Sequence, residues 1–200
     1  MATLDSLAPT YLGPNCNGLI MTPEEFDAVV DCDRDYRYEL VHGVLVVNAA
    51  PGIGETKPND VLGYWLYLYR DTHSSGGALD DTAPEHYIST STGRRRPDRV
   101  IWAGLGRQPE YDHDVPTIVI EFVSDSSRDR RRDHIEKRRE YAEIGVEEYW
   151  VIDRFRRQMT VYTKAEPAVL SEFDTCRSTR LPGFELSLPA LFSVIDQCTN

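Results

Sequence analysis

The stretch Thr117-Ile-Val-Ile-Glu-Phe-Val123 constrains this chain more than any other. Alternation puts Ile118, Ile120 and Phe122 on one face of a strand and Val119, Glu121 and Val123 on the other, so both faces are apolar. Such a strand sits in the middle of a sheet that is covered on both sides. One residue breaks the rule. A carboxylate at Glu121 costs several kcal/mol if buried unpaired, so it should meet a metal, a cation or a hydrogen-bond network. The bland alternative is a solvated strand end. The run is also far short of the ~20 apolar residues of a membrane helix, and no membrane span is expected. The start, MATLDSLAPTYLGPN, lacks a basic segment followed by an apolar one, so no secretory signal is expected and the cytoplasm is the default.

Around that strand the pattern is mixed. Thr22 with Glu25 three residues on, and Pro23 between them, reads as a capping box for a short helix to about Val30. YRYELV and VLVVNAA flank the turn dipeptide His42-Gly43 and read as a hairpin. Asn59 to about Thr72 has helical spacing, with Pro58 and the Ser74 to Gly77 run marking its ends. HYIST and RPDRVIWAG read as strands, and the segment from Ser127 to Ile144 as a helix stopped by Gly145. EEYWVID and MTVYTK then form a second hairpin, and LPGFELSLPALF a short strand with a docked helical turn. At 200 residues, with 40% hydrophobic and 28% charged, this is one folded domain over 21–200 behind a loose tail over 1–20. The fold class is α/β (α+β), a mixed sheet flanked by helices, with an N-terminal helix and hairpin.

Four cysteines (Cys16, Cys32, Cys176, Cys198) lie far apart without a CxxC pair, so neither a zinc site nor a disulfide framework is indicated. The formal charge of −11 argues against a protein that coats nucleic acid non-specifically. It hides a basic island. Arg128 to Arg139 holds seven basic and three acidic residues, a local +4 that leaves −15 on the rest.

Three more residues carry chemistry. Asp98 follows Pro97 at the head of an apolar strand, and two strand-borne carboxylates on neighbouring strands are what a Mg2+ ion asks of a protein that leaves water in its other positions. Lys137 shares a helical stripe with Asp133, Tyr141 and Ile144 and should lean inward, either for chemistry or for a salt bridge with Asp133. Glu39, between Tyr38 and Leu40, has the same ambiguity.

The order YELVHG, RPD, VIEFVSDSS, DHIEKRREYAEIGVEEYWVID and LPGFEL resembles the Uma-type family of restriction-endonuclease relatives within the PD-(D/E)XK nuclease superfamily. The resemblance runs from about Met21 to Phe192 and is strongest from Glu121 through Asp153. It implies a restriction-endonuclease-like fold and metal-dependent hydrolysis of DNA phosphodiesters. It also implies that Asp98 and Glu121 hold Mg2+ (with Mn2+ a possible substitute) and that Lys137 positions the nucleophile. Glu39 would bind through water or complete a second metal position. Arg130, Arg131 and Arg132 would pin flanking phosphates, the alternative being a solvated helix face. A cutter of both strands would most simply be a homodimer, using aromatic residues such as Tyr64 and Tyr67. The superfamily's Glu-x-Lys would put lysine at Val123, so Lys137 from the helix takes that place. The loop PGIGETKPND lacks the expected Pro-Glu-His-type turn. Two other readings stay open: a catalytically silent relative that binds nucleic acid or a protein partner, and an acidic interaction protein whose carboxylates are ordinary surface. On the repulsion between Asp98 and Glu121 alone, Glu121→Gln should leave the fold intact or firmer.

Overall fold

The computed structural model describes residues 9–123 and 132–198. In chain order the strands are β1 (Tyr11–Leu12), β2 (Asp31–Cys32), β3 (Tyr36–Val41), β4 (Val44–Ala49), β5 (Leu79–Pro84), β6 (Ile88–Thr90) and β7 (Gly93–Arg95). They continue with β8 (Arg99–Ala103), β9 (Ile118–Phe122), β10 (Glu148–Asp153), β11 (Gln158–Tyr162), β12 (Ala168–Ser171), β13 (Thr175–Arg177) and β14 (Glu185–Ser187). The α-helices are α1 (Pro23–Asp27), α2 (Ile53–Thr72), α3 (Arg138–Ile144) and α4 (Leu188–Gln197), and a π-helical turn, Arg132–Lys137, runs straight into α3. Two compact units result: residues 1–50 with Tyr87–Arg96, and Pro51–His86 with Pro97–Asn200.

The first unit is a four-stranded sheet of order β4-β3-β7-β6 with α1 and the β1–β2 pair. The capping box forms in both directions, Glu25 N donating to Thr22 Oγ1 at 3.1 Å and Thr22 N donating to Glu25 Oε2 at 2.7 Å. The helix ends at Asp27, earlier than the pattern predicts, because β2 begins at Asp31. His42 and Gly43 both take positive φ, 50° and 76°, the conformation that closes a two-residue hairpin between Val41 and Val44. A methyl on Gly93 would stand 1.9 Å from the Leu40 carbonyl, so only glycine lets β7 come alongside β3. Part of the stretch expected as a loose tail belongs to this core: Leu12 is 2% exposed, and the Tyr38 hydroxyl donates to its carbonyl at 3.1 Å.

The second unit holds a six-stranded sheet of order β12-β11-β10-β9-β8-β5. β9 and β10 are parallel and the other neighbours antiparallel, so the sheet is mixed, as the sequence predicts. Ile118, Ile120 and Phe122 join Ile101, Trp150 and Ile152 in a core with Leu62, Leu66 and Tyr69 of α2 and with Leu191, Phe192 and Ile195 of α4. Opposite them, Tyr141 of α3 packs edge-on against Tyr149 of β10, ring centroids 5.1 Å apart.

Several boundaries differ from the expected ones. Helix α2 starts at Ile53, so Pro58 lies inside it rather than before it. Proline lacks the N–H for an i→i−4 bond, but the first turn is already closed by Glu55 and Thr56 donating to the Gly52 carbonyl at 2.9 and 3.1 Å. β5, with the polar sequence LDDTAP, is paired along β8 although its pattern gives no strand signal. The C-terminal helical turn is a ten-residue helix, capped by Ser187 and anchored by the four buried apolar residues Leu188, Leu191, Phe192 and Ile195. No helix among the described residues is long and apolar enough to cross a membrane.

Candidate active site

Glu121 is buried, 3% exposed, in the middle of the second unit's sheet. Its Oε1 accepts from Lys137 Nζ at 2.7 Å and from the Tyr141 hydroxyl at 3.1 Å. The four-residue spacing from Lys137 to Tyr141, entered from the π-helical turn, aims both side chains at one oxygen. Lys137 is itself 3% exposed, so its inward lean is real. One ion-pair partner is Glu121 from the sheet. The π-helical turn spans Asp133, where the α-helical spacing behind the stripe predicted from the sequence does not hold. A buried ion pair contributes little net stability compared with apolar residues of the same volume, so stability alone does not account for this one.

Asp98 stands one residue before β8. The last pair of the β8–β9 ladder is Arg99 with Ile120, which makes Asp98 and Glu121 the next pair, on the face away from Ile120. Directly opposed antiparallel residues have Cβ atoms ~4.5–5.5 Å apart, close enough for two carboxylates to share a cation. Asp98 is also 3% exposed, and its Oδ2 accepts from the Phe122 backbone N–H at 2.7 Å. Its main-chain carbonyl accepts from Asn59 Nδ2 at 2.7 Å and from Glu85 N at 3.1 Å. The carboxylate is thus tied to the strand that bears Glu121.

Glu39 lies in the first unit, on β3. It too is buried, with Oε1 accepting from the Arg96 backbone N–H at 3.0 Å and Oε2 3.7 Å from Nη1 of the fully buried Arg95. Arg130 and Arg131 fall outside the described residues. Arg132 opens the π-helical turn.

The two carboxylates give a hard, oxygen-only donor set, with no histidine or thiol among them. Among the described residues no group of three or more His, Cys, Asp or Glu is arranged to hold a metal. Two carboxylates fit an ion that keeps much of its water, as Mg2+ does, and do not fit zinc. Two features of this region escape the sequence reading. Tyr141 lies on the right stripe, but an aromatic residue on a packed helix reads as core. Asn59 reads as the polar start of a helix whose first turn lies further upstream.

Comparison with known proteins supplies the lineage. The solved structures include a "putative nuclease belonging to DUF820" from Anabaena variabilis, which matches with a TM-score of 0.71 at 16% sequence identity over 88% of this chain and 99% of that one. At that identity the likeness speaks for the fold. No curated protein matches the chain. The sequence itself matches the Uma2 family, described as "Putative restriction endonuclease", over residues 23–189. The match spans both units and every residue of the carboxylate and lysine cluster, and the chain belongs to this family.

Proposed function

We propose that this protein is a metal-dependent endonuclease that hydrolyses phosphodiester bonds of DNA. The observation that carries this reading is the buried Lys137–Glu121 pair placed beside Asp98 across two strands. Asp98 and Glu121 hold a Mg2+ ion, which Mn2+ can replace. When bound, the ion withdraws charge from the phosphate and acidifies a water. Lys137 orients that water and neutralises charge that builds on the phosphate in the transition state. The Tyr141 hydroxyl fixes the Glu121 carboxylate. Arg130, Arg131 and Arg132 hold flanking phosphates of the duplex, a contact that positions without reading sequence. The active form is a homodimer, supported by the exposed side of α2, where Tyr64 is 63% and Leu68 44% exposed.

The test is incubation of supercoiled plasmid with the wild type and Asp98→Ala, in Mg2+, in Mn2+ and in a chelator. Nicking or linearisation by the wild type with metal, lost in the variant and in the chelator, is the expected result. Binding of DNA without cleavage in any metal makes the chain the silent relative instead. Light scattering at tens of micromolar should give twice the 22.8 kDa chain mass.

A further inference from the structure

Beneath the Asp98 loop, on the α2 side of the sheet, is a polar arrangement that an apolar core does not require. Asn59 and Arg99 are both buried, and Arg99 Nε donates to Asn59 Oδ1 at 2.7 Å while Nη2 donates to the Asn59 carbonyl at 2.9 Å. Nη1 donates to Thr82 Oγ1 at 3.1 Å, and that hydroxyl donates to the Val100 carbonyl at 2.8 Å. Every hydrogen bond of the guanidinium among the described residues therefore ends on an uncharged oxygen. The space for it is reserved, since a Cβ on Gly63 would lie 2.6 Å from Nη2. Burial pulls the Arg99 pKa down, the signature of a charge kept from water. A strand residue serving only the core would be apolar at lower cost.

The arrangement has one outlet. A guanidinium can only donate, so Asn59 turns its oxygen to Arg99 and its Nδ2 to the Asp98 carbonyl, 2.7 Å away. The same carbonyl accepts from Glu85 N, whose residue holds a φ of 51° that side chains rarely adopt. Two donors fill both lone pairs of that carbonyl and fix the peptide plane that follows Asp98. We propose that Asn59, braced by Arg99, is a positioning residue that sets the Asp98 main chain and so aims its carboxylate. This rests on the reading of Asp98 as a cation ligand, but the geometric part is measurable without any cation.

The experiment uses Asn59→Asp in the full chain. Aspartate keeps the oxygen for Arg99 and adds an ion pair, but it has no N–H for the Asp98 carbonyl and sets oxygen against oxygen there. Two signals are read: the backbone amide resonance of Phe122 in metal-free protein, because Asp98 Oδ2 accepts from that N–H, and the Kd for Mn2+ alone. The expected result is a folded variant whose Phe122 amide proton moves upfield and whose Mn2+ affinity falls about tenfold or more, as for other supports of metal ligands. In cleavage assays kcat drops while KM for DNA holds. A folded variant with the wild-type Phe122 resonance and Mn2+ affinity overturns the proposal and leaves Asn59 as a helix-docking group. If Asn59→Asp does not fold, Arg99→Lys, which keeps charge but loses the fork, is read by the same two signals. Wild-type protein that binds no Mn2+, together with a displaced Phe122 amide in the variant, keeps the positioning role and refutes the cation reading instead.

Discussion

The two central strands of the six-stranded sheet carry two buried glutamates on opposite faces, and their surroundings differ. Glu148 of β10 shares its face with Trp150, accepting from Trp150 Nε1 at 3.0 Å and from Ser178 Oγ at 2.8 Å. Its donors are uncharged. Glu121 of β9 faces the other way and receives a lysine ammonium and a phenol, next to Asp98. Burial is nearly the same, 6% and 3%, so burial alone does not mark a site. What separates them is the company of a second carboxylate and a cation. Two neutral donors satisfy a carboxylate in place, whereas a paired cation and a neighbouring acid give a group that an incoming ion and phosphate can reorganise.

This contrast can be broken by substitution. Glu121→Gln should remove plasmid cleavage by about a thousandfold, the scale of losing one main electrostatic element of a site, whereas Glu148→Gln should cleave within twofold of wild type. Equal losses would erase the distinction. Lys137→Ala should cost about 3–5 kcal/mol in urea unfolding, because it leaves Glu121 charged and buried without its partner. It should also lose turnover while keeping Mn2+ binding. Glu148→Gln is the smaller stability effect, about 1 kcal/mol, since the amide oxygen still accepts from Trp150 Nε1 while the amide nitrogen can donate to the Ser178 hydroxyl. The smallest effect concerns Cys176, which is 1% exposed and whose thiol is pushed up to about 12 by burial first and by Glu148 second. It stays protonated at any pH below that value, so a thiol reagent at pH 8 should modify the exposed Cys32 quickly and Cys176 only on unfolding. In Glu148→Gln the Cys176 pKa should fall slightly, because the repulsion is lost and burial remains. Labelling kinetics across a pH series would read it.

The stability of Glu121→Gln shows where sequence reasoning stops. With Asp98 alone in view, neutralising Glu121 relieves repulsion and the fold holds or firms. Lys137, 2.7 Å away, pulls the other way, because the substitution takes a paired anion from a buried ammonium. Glu121 is legible as a position because a charge inside an apolar strand stands out, and Lys137 because it falls on an inward stripe. The bond between them is not legible, since it joins a strand to a helix across a distance that no local pattern encodes. The capping box at Thr22 and the His42-Gly43 turn are legible for the opposite reason, being settled within four residues. β5 is not, because Asp80 and Asp81 give it no alternation. There Asp80 accepts from the Leu105 and Gly106 backbone, and Asp81 from Gln108, Tyr67 and Tyr111. Asn59 is hidden by its neighbour Pro58, which reads as a helix boundary and proves to be interior.

The parallel pairing of β9 with β10 sets the order in which the molecule can be assembled. Hairpins such as β10–β11 zip from a turn, but Glu121 comes beside Val151 only after a loop of thirty residues has closed. Lys137 and Tyr141 lie within that loop. The ammonium and the phenol are therefore carried by the segment whose closure brings the two central strands together. The carboxylate and lysine cluster of the second unit is thus tied to a long-range closure rather than to any local turn.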